Sequence, residues 1–165
     1  MEKTFNHLPA LITASQAWTQ TNALALRDSA DIRLTGPATL FGTVQEGALK
    51  MLETLRCPVS GYEFEEFIHG IYNAFNAQSA LIMLDPQPDA RQDRLAQILG
   101  DWTPSIYRIG PQVENNGLNL NFRLSMMRTL LSLNISFHYK CYVRYYPRKK
   151  ALIRRYPKIR NSIKK

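Results

Sequence analysis

Acidic residues end at Glu114, and this change in charge divides the chain into two unlike parts. Residues 1–114 carry 8 basic and 13 acidic side chains, whereas residues 115–165 carry 13 basic side chains and no acidic one. Eleven of those 13 lie from Lys140 onward. A block of like charge repels itself and either stays solvated or binds a polyanion. We therefore expect a folded N-terminal domain followed by a basic segment that binds a partner.

The composition is that of an ordinary globular domain. A chain of 165 residues with 45% hydrophobic residues is long enough to bury one core. Two cysteines, Cys57 and Cys141, are too few for a disulfide scaffold. The sequence contains neither a secretory signal pattern nor an uninterrupted apolar run long enough to cross a bilayer. We therefore expect an intracellular, cytoplasmic protein without a membrane span.

Hydrophobic periodicity predicts four helices in the first part of the chain. Apolar residues recur at helical spacing over 8–26 and again over 40–57, where Pro58 ends the second helix. A third helix is predicted from a capping box, Ser60 with Glu63, to about Leu84. A fourth begins near Pro88 and ends near Gly100.

These elements predict a mainly α fold, a small four-helix bundle with a basic C-terminal extension that can add a β-hairpin. The expected domains are a helical bundle over 1–102, a linker or long loop over 103–117, and a basic segment over 118–165. Pro104, Gly110 and Pro111 are the breakers that favour a linker.

The sequence at the start of the basic segment fits either strands or a helix. Residues 118–126 alternate between apolar and polar, and a second alternation covers 135–146, as in two strands. Residues 118–133 also fit one helical stripe, so strand and helix both stay open. Beyond them, residues 146–155 and 156–165 form a tandem decapeptide repeat that matches in residue type at seven of ten places. Each unit opens with Tyr-Pro and closes with two basic residues.

Basic and aromatic side chains alternate in this segment, as in proteins that hold nucleic acid. Lysine and arginine bind phosphates, and tyrosine rings stack on unpaired bases. The predicted polyanion-binding residues are Lys140, Arg144, Arg148, Lys149, Lys150, Arg154, Arg155, Lys158, Arg160, Lys164 and Lys165. The predicted stacking residues are Tyr139, Tyr142, Tyr145, Tyr146 and Tyr156. An acidic protein or an anionic membrane surface is the alternative partner.

Signatures of catalysis are weak in this sequence. No nucleophile elbow, Walker loop or dinucleotide-binding glycine motif occurs. Glu66 and His69 have the Glu-x-x-His spacing of di-iron bundles, but the chain holds no second pair. We therefore read Glu66 as solvent-facing, His69 as a boundary residue and Cys57 as a small buried hydrophobe. No catalytic residue, metal or cofactor is predicted.

The sequence thus predicts a small, non-enzymatic binding protein, a regulator or accessory factor that binds nucleic acid through its tyrosine-rich basic tail. The helical bundle would supply a homodimer or partner contact. The alternative is a protein-partner adaptor, such as a secretion chaperone or assembly factor, whose tail docks on an acidic protein or an anionic membrane.

Overall fold

A computed structural model describes residues 8–114 and 116–121, which form an α/β domain built on one parallel sheet. Short 3-10 turns cover Ala38–Leu40 and Ile71–Ala74. The helices are α1 (Leu8–Asp28), α2 (Phe41–Leu55), α3 (Phe64–Ile68) and α4 (Ala90–Gly100). The strands are β1 (Asp31–Gly36), β2 (Val59–Glu63), β3 (Ser79–Leu84), β4 (Ile106–Gly110) and β5 (Leu120–Asn121).

The five strands lie in the order β2-β1-β3-β4-β5, and each neighbouring pair is parallel. Ile32 in β1 lies beside both Val59 in β2 and Ala80 in β3. Parallel neighbours require crossover connections, which α2, α3 and α4 supply. The first crossover runs outward to β2, and the second returns past β1 to β3.

Strand β3 is the centre of the domain. All six of its residues, SALIML, are buried. On one face of the sheet, Ala80, Ile82 and Leu84 pack in a core that also contains residues of α1 and α2. On the other face Leu81 and Met83 pack with residues of α3 and α4. A strand covered by helices on both faces is apolar throughout, because neither face meets water.

The predicted fold class, a mainly helical four-helix bundle, is wrong. Residues 60–84, predicted as one helix, form β2, the five-residue α3, a 3-10 turn and β3. The run SALIML misled the prediction, since a short apolar run has no period that separates a buried strand from a buried helix. Ser60 caps nothing and lies in β2. The cap of α3 is Glu63, whose carboxylate accepts from the backbone amides of Glu65 and Glu66.

Three of the four predicted helices agree with the structure. Helices α1, α2 and α4 match the predicted first, second and fourth helices to within a few residues. Residues 103–117, predicted as a linker or long loop, contribute β4, an interior strand. Strand β5 lies within the alternating segment 118–126, and residues 122–165 lie outside the described part. No helix among the described residues is long and apolar enough to cross a membrane.

Candidate functional site

The carboxyl ends of the parallel strands meet at one edge of the sheet, and three groups of polar residues lie there. In open α/β sheets ligands bind outside this edge, where the direction of the strand order reverses. Here the reversal falls at β1, because the chain moves from β1 to β2 on one side and then to β3 on the other. The loops after β1, β2, β3 and β4 therefore define the candidate site.

The loop after β1 leads through a 3-10 turn into α2, and the Leu40 and Phe41 amides donate to the Pro37 and Ala38 carbonyls. Neither the 3-10 turn nor α2 has a side chain that caps its first amides, and the first turn of α2 contains no acidic residue. Thr39 in this loop is exposed. Gly36 allows close packing there, since a Cβ at this position would lie 3.1 Å from Leu84 Cβ. Uncapped amides at a helix N-terminus attract anions.

The connection after β2 carries the acidic residues of α3. The Glu63 carboxylate accepts from the Glu65 amide at 2.7 Å and the Glu66 amide at 3.2 Å. Glu65 pairs with Arg91 of α4 at 2.8 Å. Glu66 and His69 are exposed and stand three residues apart, so they project from the same side of this turn. Glu66 faces solvent as expected, whereas His69, expected at the boundary of the core, is exposed.

The ends of β3 and β4 hold a network of ion pairs centred on Arg108. Arg108 Nε donates to Asp85 Oδ2 at 2.5 Å, and Arg108 Nη2 lies 2.7 Å from Asp93 Oδ1 on α4. The backbone amide of Arg108 donates to Asn119 Oδ1 at 3.1 Å. One arginine thereby ties β4 to β3, α4 and the loop before β5.

Asp85 is the most perturbed carboxyl at this edge. It is only 5% exposed, and its second oxygen, Oδ1, has no hydrogen-bond partner among the described residues. Burial raises the pKa of Asp85 to about 6, against the lowering effect of Arg108. Gly110 packs directly on the Asp85 backbone, where a Cβ would come within 2.0 Å of the Asp85 carbonyl oxygen. Perturbed, buried titratable groups beside a cleft are candidates for functional sites.

A cavity of about 400 Å³ opens beside this ion-pair network. Asp85, Asp93 and Arg108 line it together with side chains of the neighbouring loops: Gln87, Gln112, Glu114 and Asn119. The loop before β5 is held in place from within, because Asn116 Oδ1 accepts from the Leu118 and Asn119 amides. It is also held by α1, whose Trp18 Nε1 donates to the Leu118 carbonyl at 2.7 Å.

All sixteen predicted polyanion-binding and stacking residues, from Tyr139 to Lys165, lie outside the described residues, so they stay predictions. The residues missed are Asp85 and Arg108. A usable signal was present, because Asp85 is the first polar residue after the apolar run of β3 and precedes Pro86. Within residues 8–114 and 116–121 no group of three or more candidate metal ligands occurs.

Solved structures show what this domain resembles. The chain is 82% identical to a Salmonella typhimurium LT2 protein described as sugar binding, over 85% of this chain and 45% of that one, with a TM-score of 0.76. It is 34% identical to a Clostridium difficile 630 protein described as a phosphosugar isomerase, over 87% of this chain and 43% of that one, with a TM-score of 0.74. No protein-family model and no curated protein matches the sequence.

A more distant match shows the fold alone. Glucosamine-6-phosphate deaminase from Thermotoga maritima shares 17% identity, with a TM-score of 0.62. The present chain covers less than half of each of these three proteins: 45%, 43% and 42% of their lengths, respectively. The domain is therefore of the doubly wound α/β class, and this chain corresponds to part of the larger proteins it resembles.

These similarities overturn the predicted function. The predicted class, a non-enzymatic regulator that binds nucleic acid, with a protein adaptor as its alternative, is wrong, because the similar chains are described as a sugar-binding protein and a phosphosugar isomerase. The prediction failed because it rested on the charge of residues 115–165, whereas the carboxyl edge of the sheet lies in residues that were interpreted as helices and linker.

Proposed function

We propose that this chain is a sugar-phosphate-binding domain of the sugar isomerase (SIS) type, acting within a phosphosugar isomerase. The observation that carries the proposal is the 82% identity to the sugar-binding protein over 85% of this chain. The 34% identity to the phosphosugar isomerase supports the enzymatic form of the proposal. The strand order supports the location, since ligands of such sheets bind at the carboxyl edge.

The phosphate group would be held at the loop after β1. The exposed Thr39 hydroxyl, the lack of a side-chain cap and the absence of acidic residues from the first turn of α2 suit an anion. The loops after β2 and β3 are acidic by comparison, with Glu63, Glu65, Asp85 and Asp89. A cytoplasmic location is part of this proposal, because a sugar phosphate is a charged metabolite that does not cross a bilayer unaided.

Glu66 and His69 are the residues we assign to the reaction. Interconversion of an aldose and a ketose phosphate needs a base that removes the proton beside the carbonyl and returns it to the neighbouring carbon. Glu66 has an exposed carboxylate near the carboxyl end of β2, and its backbone amide donates to the Glu63 carboxylate. His69 supplies a second titratable group on the same turn, able to move a proton to or from the sugar oxygen.

Binding tests the first half of the proposal. Titration calorimetry on the full chain should show binding of fructose 6-phosphate, weak binding of inorganic phosphate, and no comparable binding of fructose. Equal binding of fructose and its phosphate would contradict a phosphate-directed site. Absence of any binding by fructose 6-phosphate and by glucose 6-phosphate would contradict the proposed ligand class.

Activity tests the second half. Glu66→Gln should reduce aldose–ketose interconversion at least about a hundredfold, the range of a lost general base, and leave fructose 6-phosphate affinity within about threefold. Glu65→Gln is the matched control, since Glu65 pairs with Arg91 and is not assigned a role in the reaction. Equal losses in both variants, or none, would remove Glu66 from the reaction and leave a sugar-phosphate-binding domain without chemistry.

A further inference from the structure

Helix α3, which carries Glu66, is too short to be stable by itself. It spans five residues, Phe64–Ile68, and a helix of little more than one turn has few internal hydrogen bonds to offset the cost of ordering its backbone. Its geometry must therefore come from contacts with the rest of the domain. Those contacts decide where the Glu66 carboxylate lies.

The inner side of α3 is anchored by two aromatic side chains. Phe64 is 2% exposed and Phe67 is fully buried, and both pack in the core with residues of β3 and α4. The turn that follows α3 is also held, because the Arg33 guanidinium of β1 donates to the carbonyl oxygens of Ile71 and Ala74. Loss of a contact on the outer side of α3 should therefore leave the domain folded.

The outer side of α3 is anchored by one carboxylate. Glu63, the last residue of β2, accepts at Oε2 from the backbone amides of Glu65 at 2.7 Å and Glu66 at 3.2 Å. Both amides belong to the first turn of the helix, where the helix itself offers no carbonyl to accept from them. A further outer contact, the pair of Glu65 with Arg91, joins two side chains that are more than half exposed, so it contributes little.

We propose that Glu63 is a positioning residue for Glu66. Its carboxylate joins the backbone of Glu66 to the carboxyl end of β2, and so fixes where the Glu66 side chain stands relative to a ligand at this edge of the sheet. The inference rests on the proposed function, which assigns the proton transfer to Glu66. Misplacement of a reacting group lowers the rate of the chemical step more than it lowers the affinity for the ligand.

The test compares two substitutions of Glu63 in the full chain. Glu63→Ala removes the acceptor, whereas Glu63→Gln keeps an acceptor oxygen on a side chain of the same length and removes only the charge. Asp89→Ala is the matched control, because Asp89 caps α4 in the same way, with Oδ1 accepting from the Arg91 amide at 2.8 Å. Helix α4 carries no residue that we assign to the reaction.

Glu63→Ala should lower kcat for the interconversion of glucose 6-phosphate and fructose 6-phosphate about five- to tenfold, as for a lost helix cap, and change KM less than about twofold. Glu63→Gln should restore kcat to within about twofold of the unmodified chain. Asp89→Ala should keep kcat within about twofold, although it should lower the urea midpoint about as much as Glu63→Ala does. In a Glu66→Gln background, Glu63→Ala should lower kcat no further, because Glu63 acts through Glu66.

An unchanged kcat in Glu63→Ala, or a loss confined to KM, would refute the role of Glu63. So would a kcat loss that Glu63→Gln does not reverse or that persists in the Glu66→Gln background, since the Glu63 charge would then act on the ligand directly. An equal kcat loss in Asp89→Ala would show general destabilisation and would also overturn the inference.

The proposed function is judged separately on the unmodified chain. A chain that neither binds nor interconverts sugar phosphates would refute the proposed function and this inference together. An active chain whose kcat falls in Glu66→Gln but not in Glu63→Ala would refute this inference alone.

Discussion

Replacing Asp85 by asparagine should change the unfolding free energy in a pH-dependent way. The stability of the variant, relative to that of the unmodified chain, should be greater at neutral pH than at acid pH. The pKa of the buried Asp85 carboxyl is raised from 3.8 to about 6, so the folded state holds its proton where the unfolded state has lost it. A raised carboxyl pKa contributes stability at low pH that is lost as the pH rises from the unfolded value through the folded one.

The size of this effect follows from the shift. A change of about two pKa units corresponds to roughly 3 kcal/mol of unfolding free energy between the fully protonated and fully ionised forms. About 2 kcal/mol of that falls between about pH 4.5 and 7.5. The advantage of Asp85→Asn over the unmodified chain should therefore grow by about 2 kcal/mol across this interval, since asparagine does not ionise and can still accept from Arg108 Nε.

Urea unfolding at several pH values measures this difference directly. Asp101→Asn, the same substitution at an exposed residue, is the control for loss of one carboxylate. A difference between Asp85→Asn and the unmodified chain that stays constant with pH would refute the reasoning. A difference that falls as the pH rises would mean that the ion pair with Arg108 outweighs the cost of burial.

Three further pairs of substitutions test the packing that builds the site. Gly110→Ala should lower the unfolding free energy by about 3 kcal/mol or more, because its Cβ would meet the Asp85 carbonyl oxygen. Gly42→Ala in α2 should raise the unfolding free energy by up to about 1 kcal/mol, because a Cβ there meets nothing within 4 Å. Comparable urea midpoints for the two variants would contradict the close approach of β4 to Asp85. Thr35→Val should stabilise by about 1 kcal/mol, since the buried Thr35 hydroxyl has no partner among the described residues. By contrast, Thr103→Val should destabilise by about 2 kcal/mol, because Thr103 Oγ1 donates to the Ser79 carbonyl at 2.6 Å, and thermal unfolding of the pair would show opposite signs. In chemical unfolding, Leu99→Ala should lower the unfolding free energy by about 2 to 5 kcal/mol and Ile98→Ala by much less, since Leu99 is fully buried and Ile98 is 40% exposed. Equal losses would contradict the placement of α4.

The helices were readable from the sequence because their information is local. Each helical hydrogen bond joins residues four apart, so the apolar stripe of α2 and the breaker Pro58 were sufficient to predict that helix. The same reasoning found α4, where Asp89 caps the first turn by accepting from the Arg91 amide.

The sheet was not readable in this way because its partners are distant in sequence. Residues Asp31–Gly36 pair with β3, 48 positions further along the chain, and nothing in these six residues specifies which segment they pair with. Strand β3 carries no alternation, because helices cover both of its faces, and so its apolar run was absorbed into a predicted helix. Strand β4 was hidden by Pro104 and Pro111, which flank an interior strand instead of a linker.

The candidate site depends on the sheet and was therefore invisible until the strands were paired. Asp85 and Arg108 are 23 positions apart, and only the pairing of β3 with β4 brings their side chains into contact. Glu66 and His69 could be singled out from their spacing, but their position near the ligand edge of the sheet follows from the end of β2.

By itself the sequence determined local features of this protein: three helices, the breaker at Pro58 and the division of charge at Glu114. Those properties arise from neighbours within one or two helical turns. Only the tertiary structure decided which apolar runs are strands, where the carboxyl edge lies and which polar residues meet there. The physical reason is that a parallel sheet is held by bonds between distant segments, and its binding edge exists only once those segments are aligned.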